Sequence, residues 1–262
     1  MNRIAKKFQA LNKTERKALI PYITAGDPDL AATEALILKM AECGADIIEL
    51  GVPFSDPMAD GPVIQRATER ALTKGTKLID ILDLVSRVRK VSQVPIVLFS
   101  YFNPLLQFGL EKLAKKAAEV GIDGVLVTDL SPEEAGNFLS ILCRYNLDMI
   151  FLLAPTSSDE RIAKVTKLAR GFIYAVSRTG ITGIQQTLSD TVVELVLRIR
   201  KHSNLPIAVG FGISSREQVK EVCCYADGAI VGSRIVAEIE ACKDQTQLLE
   251  KIGSLIQELA SD

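Results

Sequence analysis

Short apolar runs and longer amphipathic segments take turns along this chain. The apolar runs are ALIPYIT (18–24), ADIIELGV (45–52), VPIVLFSY (94–101), IDGVLVTD (122–129), LDMIFLLA (147–154), GFIYAVS (171–177), LPIAVGFG (205–212) and DGAIVGS (227–233). Each has strand length, and the polar residues cluster at their ends. Between them lie segments such as DLAATEALILKMAECG and LEKLAKKAAEVG. The second carries Leu110, Leu113, Ala117 and Val120 at spacings of three and four, which predicts a helix with one apolar face. Both end in a glycine fit to close a helix.

Start signals agree with this partition. Ser131-Pro132-Glu133-Glu134 offers a cap, a first-turn proline and a capping-box glutamate, and Ser157 with Glu160 and Ser214 with Glu217 repeat the box. Eight strands alternating with helices leave roughly 33 residues per unit, the size of a βα repeat in a single (β/α)8 barrel spanning residues 1–262. A doubly wound open sheet is the alternative. The barrel is preferred because eight near-equal units need no edge strand, and because the reactive residues gather at the C-terminal ends of the runs. Extra N-terminal and C-terminal helices are expected over 3–12 and 244–260, and the stretch 62–91 has room for two.

With 262 residues, 48% hydrophobic and 24% charged, the chain can bury a large core without metals or disulfides. Its net charge of −1 offers no field to attract a nucleic acid or an anionic membrane. Five cysteines without a CxxC pair predict free thiols and a cytoplasmic setting. No apolar stretch reaches the ~18 residues of a membrane span. A single histidine, His202, rules out a multi-imidazole metal site within one chain and leaves carboxylates and tyrosines as proton carriers; no metal is expected. His202 itself reads as a helix-end surface residue. The adjacent Cys223 and Cys224 read as packing residues.

Two constellations carry chemistry. In the second run Ile47, Glu49 and Gly51 share one face and Ile48 and Leu50 the other, so Glu49 is expected to point into the barrel. A carboxylate there is either tied to a cation or backbone N–H, or it is a proton donor and acceptor whose charge burial disfavours. Asp60 follows in a loop stiffened by Pro53, Pro57 and Pro62. The second constellation is GITG (180–183), GFGIS (210–214) and Gly232-Ser233, after the sixth, seventh and eighth runs. Three glycine-bearing loops at adjacent late strand ends predict phosphate binding. Tyr174 lies in the sixth run, its hydroxyl in need of a buried partner that Glu49 could supply. Asp129 is a ligand contact or a cap to the next helix. The loops 53–60 and 178–190 are turn-rich and placed to act as lids.

The segment from Ile48 to Gly61, with Glu49, Gly51, Phe54-Ser55-Asp56-Pro57 and Ala59-Asp60-Gly61, resembles the signature of tryptophan synthase α subunits. The likeness spans almost the whole chain, through TAGDP (24–28), YFNPL (101–105), APT (154–156), SRTGITG (177–183), GFGIS and GAIVGS. It implies a (β/α)8 barrel that cleaves indole-3-glycerol phosphate into indole and glyceraldehyde 3-phosphate. It also implies a partner β subunit in an α2β2 tetramer, with pyridoxal phosphate in that partner and no cofactor in this chain.

The resemblance makes Glu49 the general acid/base, Asp60 the carboxylate at the indole N–H, and Tyr174 the site tyrosine. Thr182, Gly183, Phe211, Gly212, Gly232 and Ser233 match positions at the phosphate, and Tyr22, Phe99, Leu126 and Asp129 positions around the indole or the mouth. Departures are modest: Phe99 replaces a usual Met or Leu, Thr128 a Pro or Ala, Ser131 a Pro and Ile181 a Val. Phe99 would narrow the indole pocket. Another phosphate-sugar barrel, or a catalytically idle α-like activator, are the competing readings; neither predicts the Glu49 and Asp60 signature.

Overall fold

A computed structural model describes residues 2–177, 190–242 and 244–260 of the chain. Eight parallel strands close into a barrel in chain order: β1 (Ala18–Thr24), β2 (Ile48–Gly51), β3 (Ile96–Ser100), β4 (Gly124–Val127), β5 (Asp148–Leu153), β6 (Ile173–Val176), β7 (Ile207–Gly210) and β8 (Gly228–Val231), with β8 paired back to β1. Every strand falls within one of the eight apolar runs. Strands of a covered parallel barrel are buried on both faces, which is why they read as near-continuous hydrophobic blocks.

The interior face carries Ile20, Tyr22, Ile47, Val97, Phe99, Leu126, Ile150, Phe172, Tyr174 and Ile230. Ile48, Leu50, Ile96, Leu98 and Val125 face outward into the strand–helix layer. The period-2 assignment of the second run is therefore met: Glu49 sits in register between Tyr22 of β1 and Val97 of β3. Each fully buried Ile or Leu of these layers contributes about 1.5–3 kcal/mol relative to exposure.

Both extra helices are present, α1 (Arg3–Lys13) and α12 (Gln245–Ala260), and α3 (Pro62–Thr73) and α4 (Leu78–Val88) fill the long β2–β3 connection. The other helices are α2 (Leu30–Glu42), α5 (Phe102–Phe108), α6 (Leu110–Val120), α7 (Gly136–Arg144), α8 (Asp159–Leu168), α9 (Asp190–Arg200), α10 (Arg216–Cys223) and α11 (Ser233–Ala241). Helix α1 presses Ile4, Phe8 and Leu11 into the N-terminal end of the barrel, with the Phe8 and Phe172 rings 5.9 Å apart. No helix among the described residues is long and apolar enough to cross a membrane.

Three start signals are corrected. Ser158, not Ser157, caps α8, because the Ser157 hydroxyl is taken by the Ala154 N–H. Ser215 forms the box with Gln218 at the start of α10, one residue after Ser214. Ser131 pairs with Glu134 in a turn, and α7 begins only at Gly136.

At the N-terminal end, acids that precede strands are all satisfied. Asp46 accepts the Leu19 N–H at 3.0 Å, Asp123 accepts the Ile96 N–H at 2.9 Å and Arg89 at 2.8 Å, and Asp227 accepts the Ile207 N–H at 2.8 Å. These carboxylates fasten neighbouring strands; the contrast with the other end is sharp.

Candidate active site

At the C-terminal ends of the strands the interior turns from aliphatic to aromatic and acidic. Glu49 is 1% exposed, and among the described residues neither carboxylate oxygen has a hydrogen-bond partner. The cation or backbone tie that would explain a structural glutamate is missing. The expected bond from the Tyr174 hydroxyl is missing too, although Tyr174 lies close enough to feel the Glu49 charge. With nothing to compensate desolvation, burial alone pushes the Glu49 carboxyl up to about 8.

Asp60 is placed by different means. Its loop lies between β2 and α3, where Gln65 of α3 donates to the Asp60 carbonyl at 2.8 Å. Burial raises its carboxyl to about 6, and a hydrogen bond from Tyr101 opposes the rise. The buried Tyr22 hydroxyl feels both Asp60 and Glu49, so the two acids border one space. The Tyr22 hydroxyl is 3.4 Å from the Thr24 hydroxyl, and its ring meets Phe99 edge-on at 5.3 Å. Phe99 and the buried Leu126 lie on the same interior face as Tyr22.

Tyr101 was not among the expected site residues. It stands just beyond β3, 4% exposed, and its hydroxyl accepts the Ala59 N–H at 2.8 Å. The signal that could have found it is a tyrosine ending an apolar strand run on the mouth side.

Across the mouth, β6 and β7 bring Tyr174 and Phe211 together, ring centroids 5.9 Å apart. The Tyr174 hydroxyl lies so close over Gly210 that a Cβ there would approach it to 2.0 Å. Phe211 and Gly212 both adopt left-handed backbone, φ +73° and +82°. For a phenylalanine this is strained, and such strain concentrates at sites that use it. The Phe211 carbonyl is held by the Ser177 hydroxyl.

The late helices differ at their N-termini. The first turn of α10 is occupied by its own Ser215 and Gln218 side chains. Helix α11 starts at Ser233 after Gly232, with no side-chain cap. An uncapped helix start turns its first backbone N–H groups and positive dipole end outward. Asp129 is a cap, though to α5 rather than to the following helix: its carboxylate accepts the Phe102 N–H at 2.7 Å. Thr182, Gly183, the GITG loop and most of the 178–190 lid lie outside the described residues. His202 is exposed at the end of α9, as expected, while Cys223 is half-buried and Cys224 exposed at the end of α10.

A family model described as "Tryptophan synthase alpha chain" matches residues 8–262. The tryptophan synthase alpha chain of Geobacter sulfurreducens is 56% identical over 240 residues, 92% of this chain and 91% of that one. That of Geotalea uraniireducens is 50% identical, covering 98% and 96%. Among solved structures, tryptophan synthase from M. tuberculosis in its aminoacrylate-bound form superposes with a TM-score of 0.89 at 38% identity, covering 99% of this chain and 98% of that one. The Legionella pneumophila tryptophan synthase subunit alpha gives 0.90 at 39%, covering 99% and 97%.

Proposed function

Because the chain belongs to the tryptophan synthase alpha chain family, we propose that Glu49 and Asp60 carry its reaction, the retro-aldol cleavage of indole-3-glycerol phosphate to indole and glyceraldehyde 3-phosphate. The observation that carries this assignment is the separation of the two acids. Glu49, without a hydrogen-bond partner among the described residues and raised to about 8, holds its proton at neutral pH; Asp60, near 6, is mostly charged. Environments that push two carboxyls apart supply an acid and an anion side by side.

The Glu49 proton goes to C3 of the indole ring, which makes the ring an electron sink. Asp60 accepts a hydrogen bond from the ring N–H and offsets the positive charge developing there. The glycerol hydroxyl next to the ring then gives its proton to the Glu49 carboxylate. The C–C bond breaks, and its electrons return to the ring. Glu49 ends as it began, so the step needs no outside proton. Tyr22, Phe99, Leu126 and Tyr174 wall the indole. The uncapped start of α11 at Gly232 and Ser233, with Phe211 and Gly212, receives the phosphate, a role that family membership extends to Thr182 and Gly183. Asp129 supports the mouth through α5.

Residues 1–262 act as one barrel domain in the cytoplasm, joined to a β subunit as α2β2. The pyridoxal phosphate resides in that subunit, to which indole passes. Exposed Met58 on the loop after β2 and Leu106 on α5 are apolar surface beside the mouth, fit for such a partner. An idle activator would have no need of both acids. The test is indole release from indole-3-glycerol phosphate by the purified chain, alone and with a β subunit. Slow release that rises with β is expected; no release in either case, with β activity still enhanced, would overturn the catalytic reading.

A further inference from the structure

The loop that carries Asp60 is tied mostly to itself. Within it Met58 N–H bonds the Asp56 carbonyl, Asp60 N–H the Pro57 carbonyl, and the Ser55 hydroxyl the Asp56 carboxylate. Gln65 holds the Asp60 carbonyl from the following helix. Among the described residues, the hydrogen bond from this backbone to the next strand unit is the one from Ala59 N–H to the Tyr101 hydroxyl, 2.8 Å long. The Tyr101 ring also packs against Phe54 of the same loop, centroids 5.4 Å apart.

A phenol oxygen has one proton and two acceptor lobes. With the Ala59 amide pointing its hydrogen at that oxygen, the Tyr101 proton is directed elsewhere, and the carboxylate of Asp60, the residue after Ala59, is the acid beside it. The hydroxyl is thus a relay of fixed polarity: it receives from the loop backbone and gives to the loop's acid. A phenylalanine would keep the ring contact with Phe54 and lose both bonds. It would leave the Ala59 N–H without its partner and Asp60 without the hydrogen bond that favours its charge.

We propose that Tyr101 is a positioning residue for the reaction, its hydroxyl fixing the Asp60 carboxylate in the mouth in its charged form by receiving the Ala59 N–H and donating to Asp60. This deepens the assignment above and rests on Asp60 acting there. Among the described residues, the titratable groups facing Asp60 are Tyr22 of β1 and Tyr101 beyond β3, while Glu49 of β2 faces Tyr22 and Asp129 after β4 faces Tyr101. None of these is a cation, so among the described residues Tyr101 is the favourable interaction opposing burial of Asp60.

The experiment is a 13C titration of the full chain labelled at aspartate carboxyls, with the Asp60 signal assigned by Asp60→Asn. It is run on wild type, Tyr101→Phe and Phe54→Leu, beside the pH profile of kcat/KM. In Tyr101→Phe the Asp60 midpoint is expected to rise by about 0.5–1 pH unit. The acidic limb of the profile should move with it, a loss of about three- to tenfold at pH values below the midpoint. Phe54→Leu, which disturbs packing and keeps the hydroxyl, should leave the midpoint in place. An unmoved midpoint in Tyr101→Phe overturns the proposal. A midpoint that moves while the profile does not upholds the Tyr101 contact and removes Asp60 from its catalytic assignment instead. Should Tyr101→Phe fail to fold, the Tyr101 Cζ signal of the labelled wild type decides: it must titrate with the Asp60 midpoint, and silence there overturns the proposal.

Discussion

The Tyr22 hydroxyl lies directly over Gly51, where a Cβ would come within 2.2 Å of it and within 2.6 Å of Cζ. The two residues belong to neighbouring strands, and Tyr22 is itself pressed edge-on against Phe99. A methyl at position 51 therefore cannot be absorbed by a small rotation. Gly51→Ala is expected to lower kcat/KM by about ten- to a hundredfold, because the ring that borders both acids must shift. Overpacking should also cost about 1–3 kcal/mol of stability. Steady-state kinetics with a thermal melt checks this; unchanged kcat/KM would show that Tyr22 does not shape the chamber.

Glu49→Gln should abolish cleavage while the fold persists, and it should stabilise the chain in a pH-dependent way. The native Glu49 carboxyl titrates near 8, the unfolded one near its ordinary value of 4.5. Between these the unfolded state binds fewer protons, so this residue's contribution to stability falls as pH rises from about 4.5 to 8 and levels off beyond. The advantage of the glutamine variant should grow over the same window, to on the order of a few kcal/mol at pH 8. Urea unfolding at pH 5 and pH 8 measures it. An equal difference at both pH values would mean that Glu49 is charged in the folded chain.

Arg70 of α3 grips Asp27, which is 2% exposed, with two bonds of 2.7 and 2.8 Å, and reaches Glu240 of α11 at 2.8 Å. It joins the loop after β1, the helix after Asp60 and helix α11. Arg70→Met would strand a buried carboxylate. The expected loss is about 2–3 kcal/mol, below the ~3–5 of a fully buried pair because Arg70 is about a third exposed. Adding Asp27→Asn should recover part of it; a double variant no more stable than the single one would argue against a charge effect.

The fold was legible because a closed parallel barrel imposes its own punctuation. Strands buried on both faces must be apolar throughout, so Glu49 stood out as the charge that such a block does not tolerate without a reason. Two of the caps were misplaced by one residue for an equally physical cause. Ser157-Ser158 and Ser214-Ser215 each offer two adjacent hydroxyls, and a tertiary contact, the Ala154 N–H on Ser157, decides between the first pair. Of the two readings left open for Asp129, ligand contact or cap to the next helix, the cap named the wrong helix because its partner is 27 residues earlier in the chain. Tyr101 escaped notice since its contribution lies in a bond to a loop more than 40 residues away, which no local pattern encodes.

Because α1 plugs the N-terminal end with Ile4, Phe8 and Leu11 against Phe172, that end of the barrel is closed to traffic among the described residues. Substrate, aldehyde and indole are therefore left the C-terminal mouth. Whatever surface closes over it becomes the sole heir of the released ring.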